Sequence, residues 1–232
     1  MGKDDRFRKR KEQKTVELKR LQGVRAAGPR ILIVCEGQKT EPYYFEEFRR
    51  RYQLHSSRVR IAPGDKGSSP DCVVAYAEEL FQEDTKLGPD HYDQVFCVID
   101  RDKHATYHAA LKRIDDLQEE NKPFVAITSV PCFEYWLLLH FTNTRQSFHA
   151  TGKKSICDSV IRELRKQVGF SGYGKGEKGI FDQLHDKTHT AIKYAQQAEM
   201  DAKKTGEDNP STRVHHLILQ LQKLASNSGR KT

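Results

Sequence analysis

Three acids stand where two apolar runs end: Glu36 follows Ile31–Cys35, and Asp100 and Asp102 follow the run 94–99. Residues i and i+2 of an extended chain face the same side, so Asp100 and Asp102 can address one ion. Clustered carboxylate oxygens are hard ligands that suit Mg²⁺ or Mn²⁺, ions that keep waters and bind phosphate oxygens. The chemistry such a cluster serves is metal-assisted attack on a phosphodiester. Glu36 would hold the ion or move the proton of the attacking or leaving oxygen. All of this requires the two runs to be neighbouring parallel strands whose carboxyl ends point the same way.

The elements around the acids fit that requirement. Ile31–Cys35 is a β-branched apolar run too short for a typical helix, as expected of a strand covered on both faces. Gly37 allows a sharp turn, Thr40 is placed as an N-cap, and Pro42 is tolerated in the first helical turn. A helix over 41–52 then carries Tyr44, Phe45, Phe48 and Tyr52 on one face. Strands are predicted at 59–62, 94–99 and 124–130. Helices are predicted after Ser69-Pro70 and over 105–120, giving β-α-β-α-β-α-β and a parallel sheet flanked by helices. An α/β fold puts its chemistry at the carboxyl ends of such strands.

Beyond residue 130 the pattern turns helical. Residues 131–141 are apolar nearly all round and read as a buried helix whose one carboxylate is Glu134. Ile156, Val160, Ile161, Leu164 and Val168 share a face, a glycine-rich link covers 169–179, and a polar helix spans about 181–203. Asn209-Pro210-Ser211 opens a last amphipathic helix. The domain reading is a basic leader (1–28), an α/β core (29–142), a helical extension packed on it (143–226) and a tail (227–232).

Charged residues make up 31% of the 232 and hydrophobics 36%, a globular composition, and no stretch approaches the roughly 20 apolar residues of a membrane span. The start is basic without an apolar core, so it is not a secretory signal, and a cytoplasmic protein with no membrane partner is expected. The five cysteines show no CxxC spacing, which argues against a disulfide framework or a cysteine zinc site. Residues 1–30 hold eleven Lys/Arg against four Asp/Glu, so +7 of the +8 net charge sits there. Such a leader reads either as an electrostatic arm for nucleic acid or as a solvated tail.

Other residues carry two readings each. Glu134 is a site carboxylate or the buried partner of an arginine or amide. Lys175 and Lys178 reach a phosphate or lie on the loop surface. His104 sits two residues after Asp102 and could donate a proton. His185 and His189 have i, i+4 spacing without an evident third ligand, which favours a solvated helix face. The acids themselves could instead cap helices.

Strand–Glu-Gly followed by strand–Asp-x-Asp resembles the Toprim fold of topoisomerases, bacterial primases and OLD-type nucleases. More narrowly, four ordered motifs are similar to the RloB family: Cys35-Glu36-Gly37-x-x-Thr40-Glu41-x-x-Tyr44-Phe45; Asp100-x-Asp102; Pro131-x-Phe133-Glu134-x-Trp136-Leu137-Leu138-Leu139-His140-Phe141; and Asn209-Pro210-Ser211-Thr212. The resemblance covers most of residues 30–225. That family is found beside restriction and phage-defence genes, often with an ATPase partner. It implies a Mg²⁺- or Mn²⁺-dependent endonuclease with Glu36, Asp100 and Asp102 as the catalytic, metal-binding acids. Glu41 would be a further metal ligand, although OLD-type nucleases place that acid one position earlier, where this chain has Thr40. Nucleic acid would be the substrate, with DNA, RNA and tRNA all open, and a homo-oligomer is compatible. The chain has no GxxxxGK[ST] motif, so ATP dependence would come from a partner. The competing readings are a non-catalytic sensor or scaffold that binds nucleic acid or an ATPase, and a primase-like phosphoryl transferase.

Overall fold

The structure, a computed structural model, describes residues 28–67, 69–88, 90–102 and 105–228. The expected leader, apart from Gly28, lies outside the described residues, as do His104 and the last four residues of the tail.

Strands β1 (Ile31–Cys35), β2 (Val59–Ala62), β3 (Gln94–Asp100) and β4 (Phe124–Val130) alternate with helices α1 (Thr40–Arg51), α2 (Pro70–Lys86) and α3 (Tyr107–Glu119). They form a sheet in the order β2-β1-β3-β4, all parallel, with Cys35 level with Val98. The period of two explains why the runs are continuously apolar. Ile31, Ile33, Phe96 and Val98 enter one core with α1 and the C-terminal helices, while Leu32, Val34, Val95 and Cys97 enter another with α2 and α3. Arg30 anchors the start of β1 with two 3.0 Å bonds to Asp84 and with its guanidinium 4.6 Å from the Tyr92 ring centroid.

After β4 come α4 (Glu134–Leu138), α5 (Ile156–Leu164), α6 (Ile180–Leu184), a 3₁₀ turn (His185–Lys187), α7 (Thr188–Thr205), strand β5 (Ser211–Thr212) and α8 (Val214–Ser228). Phe181 packs its ring on Tyr44 and Phe48 of α1, and Trp136, Val160, Leu217 and Ile218 share the same hydrophobic cluster. Extension and core therefore bury one another. No described helix is long and apolar enough to cross a membrane.

Four local expectations change. The apolar segment 131–141 is buried but forms only a five-residue helix, with tight turns carrying it through to Thr142. The α5 helix stops at Leu164, leaving Val168 92% exposed rather than on the buried face. The 3₁₀ turn His185–Lys187 interrupts the expected 181–203 helix between α6 and α7. Pro210-Ser211 does not open the last helix. Ser211 and Thr212 add an antiparallel strand to β4, with Ser129 Oγ and Thr212 Oγ1 3.0 Å apart.

Candidate functional site

Glu36 leaves β1 just where its backbone N–H still reaches Val98 O, 3.1 Å away on β3. One strand over, the Asp100 N–H donates to Glu36 Oε2 at 3.0 Å. Beyond β3, the amides of Arg101 and Asp102 bond to the carbonyls of Ser129 and Pro131, so the Asp-x-Asp segment is tied to the end of β4. Strand adjacency therefore brings the three acids together. Gly64 presses on the turn behind them: an added Cβ would sit 2.0 Å from Glu36 O, so only a residue without a side chain fits. Gly37 is constrained on the other side, where a Cβ would fall 2.4 Å from Glu41 Oε2 and displace that carboxylate.

The acids line a cleft of about 400 Å³ together with Lys39, Thr40, Glu41, Glu134, Cys157, Lys175 and Gly176. Glu36, Glu41 and Glu134 are 7%, 6% and 1% exposed, which buries three carboxylates within one cavity. Burial, opposed by the Asp100 amide and reinforced by Glu41 and Asp102, pushes the Glu36 carboxyl up to about 7. Burial and the charge of Glu134, against the pull of backbone amides and Lys175, likewise push Glu41 up to about 7. Burial, Glu41 and Glu134 hold Asp100 well above the carboxylate range. Among the described residues, Asp100 Oδ1 and Glu134 Oε2 are sealed from water with no hydrogen-bond partner. Such atoms are costly unless something binds them. Crowded, mutually repelling oxygens with orphaned lone pairs are a donor set that a hard divalent cation fits.

A cation of the chain's own comes from the extension. Lys175 Nζ lies 3.6 Å from Glu134 Oε1, which also accepts from the Tyr173 hydroxyl at 3.4 Å. Burial alone would lower the Lys175 ammonium, but Glu134 and the neighbouring acids outweigh it and hold its pKa above the ordinary value. The loop bearing Lys175 is fastened to α1. Gly176 N–H donates to Thr40 Oγ1 at 2.9 Å, and the amides of Gly179 and Phe181 donate to the Glu47 carboxylate at 2.5 and 2.9 Å. Thr40 thus does not cap α1, whose N-cap is Lys39; its hydroxyl tethers the loop instead. Glu47→Gln should cost about 1.5–3 kcal/mol in urea unfolding, the range for hydrogen bonds to a charged group. An unchanged midpoint would show that the tether carries no load.

Of the residues singled out in the sequence, Glu36, Glu41, Asp100, Asp102, Glu134 and Lys175 share the cleft. Lys178 does not line it; its Nζ sits 5.0 Å from the Tyr43 ring centroid. His185 bonds to Asp186 and faces Tyr52 rather than pairing with His189. Glu47 and Tyr173 carry no signal in the sequence, since nothing there links Glu47 to a loop more than 130 residues away or Tyr173 to Glu134.

A family model described as RloB-like protein matches residues 31–221, which contain every residue of this cleft. The chain belongs to the RloB-like family. This RloB-like chain matches no curated protein and no solved structure. Within the matched span, the ends of β1 and β3 bring in Glu36, Asp100 and Asp102, α1 carries Glu41, and α4 supplies Glu134 of the third motif.

Proposed function

We propose that this RloB-like protein is a Toprim-type, Mg²⁺- or Mn²⁺-dependent nuclease that acts in defence of a bacterial cell together with an ATPase partner. The observation that carries the reading is the convergence of five carboxylates and Lys175 in one cleft at the carboxyl ends of adjacent parallel strands. Asp100, Asp102 and Glu41 would hold the cation. When bound, the cation supplies Lewis-acid polarisation of the phosphoryl group and a lowered pKa for attacking water.

The chain's own groups do the rest. Glu36, poised near neutrality and fixed by the Asp100 amide, takes the proton of the attacking water. Lys175 is a point charge placed to meet the non-bridging phosphate oxygens, and Glu134 with Tyr173 aims it. Lys39 at the rim adds attraction for the polyanion.

The test is cleavage of labelled plasmid, single-stranded DNA and total tRNA with Mg²⁺, Mn²⁺ or EDTA, comparing wild type with Asp102→Asn. Metal-dependent cutting of one substrate class, lowered by roughly 10²–10³-fold in Asp102→Asn, is the expected result. No cutting of any substrate, with or without the ATPase, overturns the reading in favour of a sensor. Nucleotide incorporation in its place identifies a phosphoryl transferase.

A further inference from the structure

Away from the acid cleft, Glu199 of α7 faces the first turn of α8, where His215 and His216 stand side by side. Consecutive residues of a helix normally diverge by about 100°. Here the two imidazoles lie with ring centroids 4.0 Å apart and planes tilted by 35°, and both aim Nε2 at the same oxygen. His216 Nε2 is 2.7 Å and His215 Nε2 3.4 Å from Glu199 Oε2, and one ligand atom from each of the three residues falls within 4.8 Å of the others. Ligands about 2.0–2.2 Å from a tetrahedral zinc ion stand roughly 3.3–3.5 Å apart, which is the scale of this cluster.

His215 supplies the second observation. It is 1% exposed, and its Nε2 meets Oε2 at a distance beyond that of a charge-assisted bond. The lone pair of the nitrogen that faces Glu199 is therefore not committed to a strong bond. The other carboxylate oxygen is already supported: Oε1 takes Lys203 Nζ at 3.0 Å and Arg213 Nε at 3.2 Å. A ligating carboxylate is oriented in this way, one oxygen on the metal and the other on a donor. Both cations reach in from solvent, with side chains 69% and 45% exposed, so neither is locked against the metal position.

We infer that Glu199, His215 and His216 form a binding site for a zinc-class divalent cation, with water completing the coordination, which ties α7 to the start of α8. Nitrogen ligands set it apart from the carboxylates of the acid cleft, and it stands whether or not the protein is a nuclease.

The test uses the full chain carrying Glu41→Gln, Asp100→Asn and Asp102→Asn, which removes the three carboxylates assigned to the cleft's cation, titrated with Zn²⁺ against a chromophoric chelator. One equivalent should bind, raise Tm, and give with Co²⁺ the visible absorption of a tetrahedral nitrogen-ligated ion. His216→Ala, at a half-exposed position that leaves the core intact, should bind Zn²⁺ at least tenfold more weakly and lose both the Tm rise and the Co²⁺ spectrum. No stoichiometric Zn²⁺ on the parent chain, or equal affinity in His216→Ala, overturns the site and leaves Glu199 as an ion-pair hub for Lys203 and Arg213.

Discussion

Glu36→Gln is expected to lower metal-dependent cleavage by roughly 10²–10⁴-fold, the range a positioned proton-transfer group contributes. The substitution keeps an amide oxygen to accept the 3.0 Å bond from the Asp100 N–H, so the geometry between β1 and β3 survives. It also removes a charge that burial disfavours, since the Glu36 carboxyl is already raised to about 7. Stability should therefore hold or rise while activity collapses. Single-turnover cleavage and thermal melts on the same samples check this. Activity within tenfold of wild type, or a fall in Tm that accounts for the lost turnover, would show that Glu36 serves the fold and not the reaction.

The second large effect concerns the metal-free protein and runs against ordinary acid denaturation. Glu41 has an unperturbed value of 4.5 and a folded value of about 7, so between those pH values the folded chain binds more protons than the unfolded one. Stability from this group is fully present below about 4.5 and is lost as pH rises through 7. His140 and His215, pushed down to about 4 chiefly by burial, act in the opposite sense between about 4 and 6.5, so the informative quantity is a difference between proteins. Glu41→Gln in EDTA should be more stable than wild type at pH 8 by roughly 1–3 kcal/mol, with the gap closing near pH 5 where Glu41 is protonated too. For a chain of this size that is on the order of 3–10 °C in Tm. Saturating Mg²⁺ should shrink or invert the gap at pH 8, because only the carboxylate offers the ion a charge. A gap independent of pH would rule out repulsion among the acids as its source.

Much of this was legible because the fold writes its strands plainly. A strand covered on both faces must be apolar at every position, so Ile31–Cys35 and the run before Asp100 declared themselves and placed the acids at their ends. The parallel order followed from alternation with helices. What stayed hidden depends on contacts between distant segments. Thr40 has the type of a cap, and only the approach of Gly176 turns its hydroxyl elsewhere. Ser211-Thr212 looks like a helix start until the free edge of β4 recruits it. Val168 continues a helical stripe that the turns after Leu164 interrupt. Lys175 and Lys178 look alike in a glycine-rich link, and the buried Glu134 carboxylate separates them. The Glu199, His215, His216 cluster escaped notice because adjacent histidines do not ordinarily converge.

The loop fastened by Glu47 and Thr40 has a consequence for the order in which the protein is made. Ribosomes release the amino end first, so the acids at 36, 41, 100, 102 and 134 emerge well before residue 175. Until then Glu134 lacks the ammonium beside it, and α1 lacks the ring of Phe181 against Tyr44 and Phe48. The last third of the chain is what completes the cleft, and an unfinished polypeptide holds the carboxylates without the lysine.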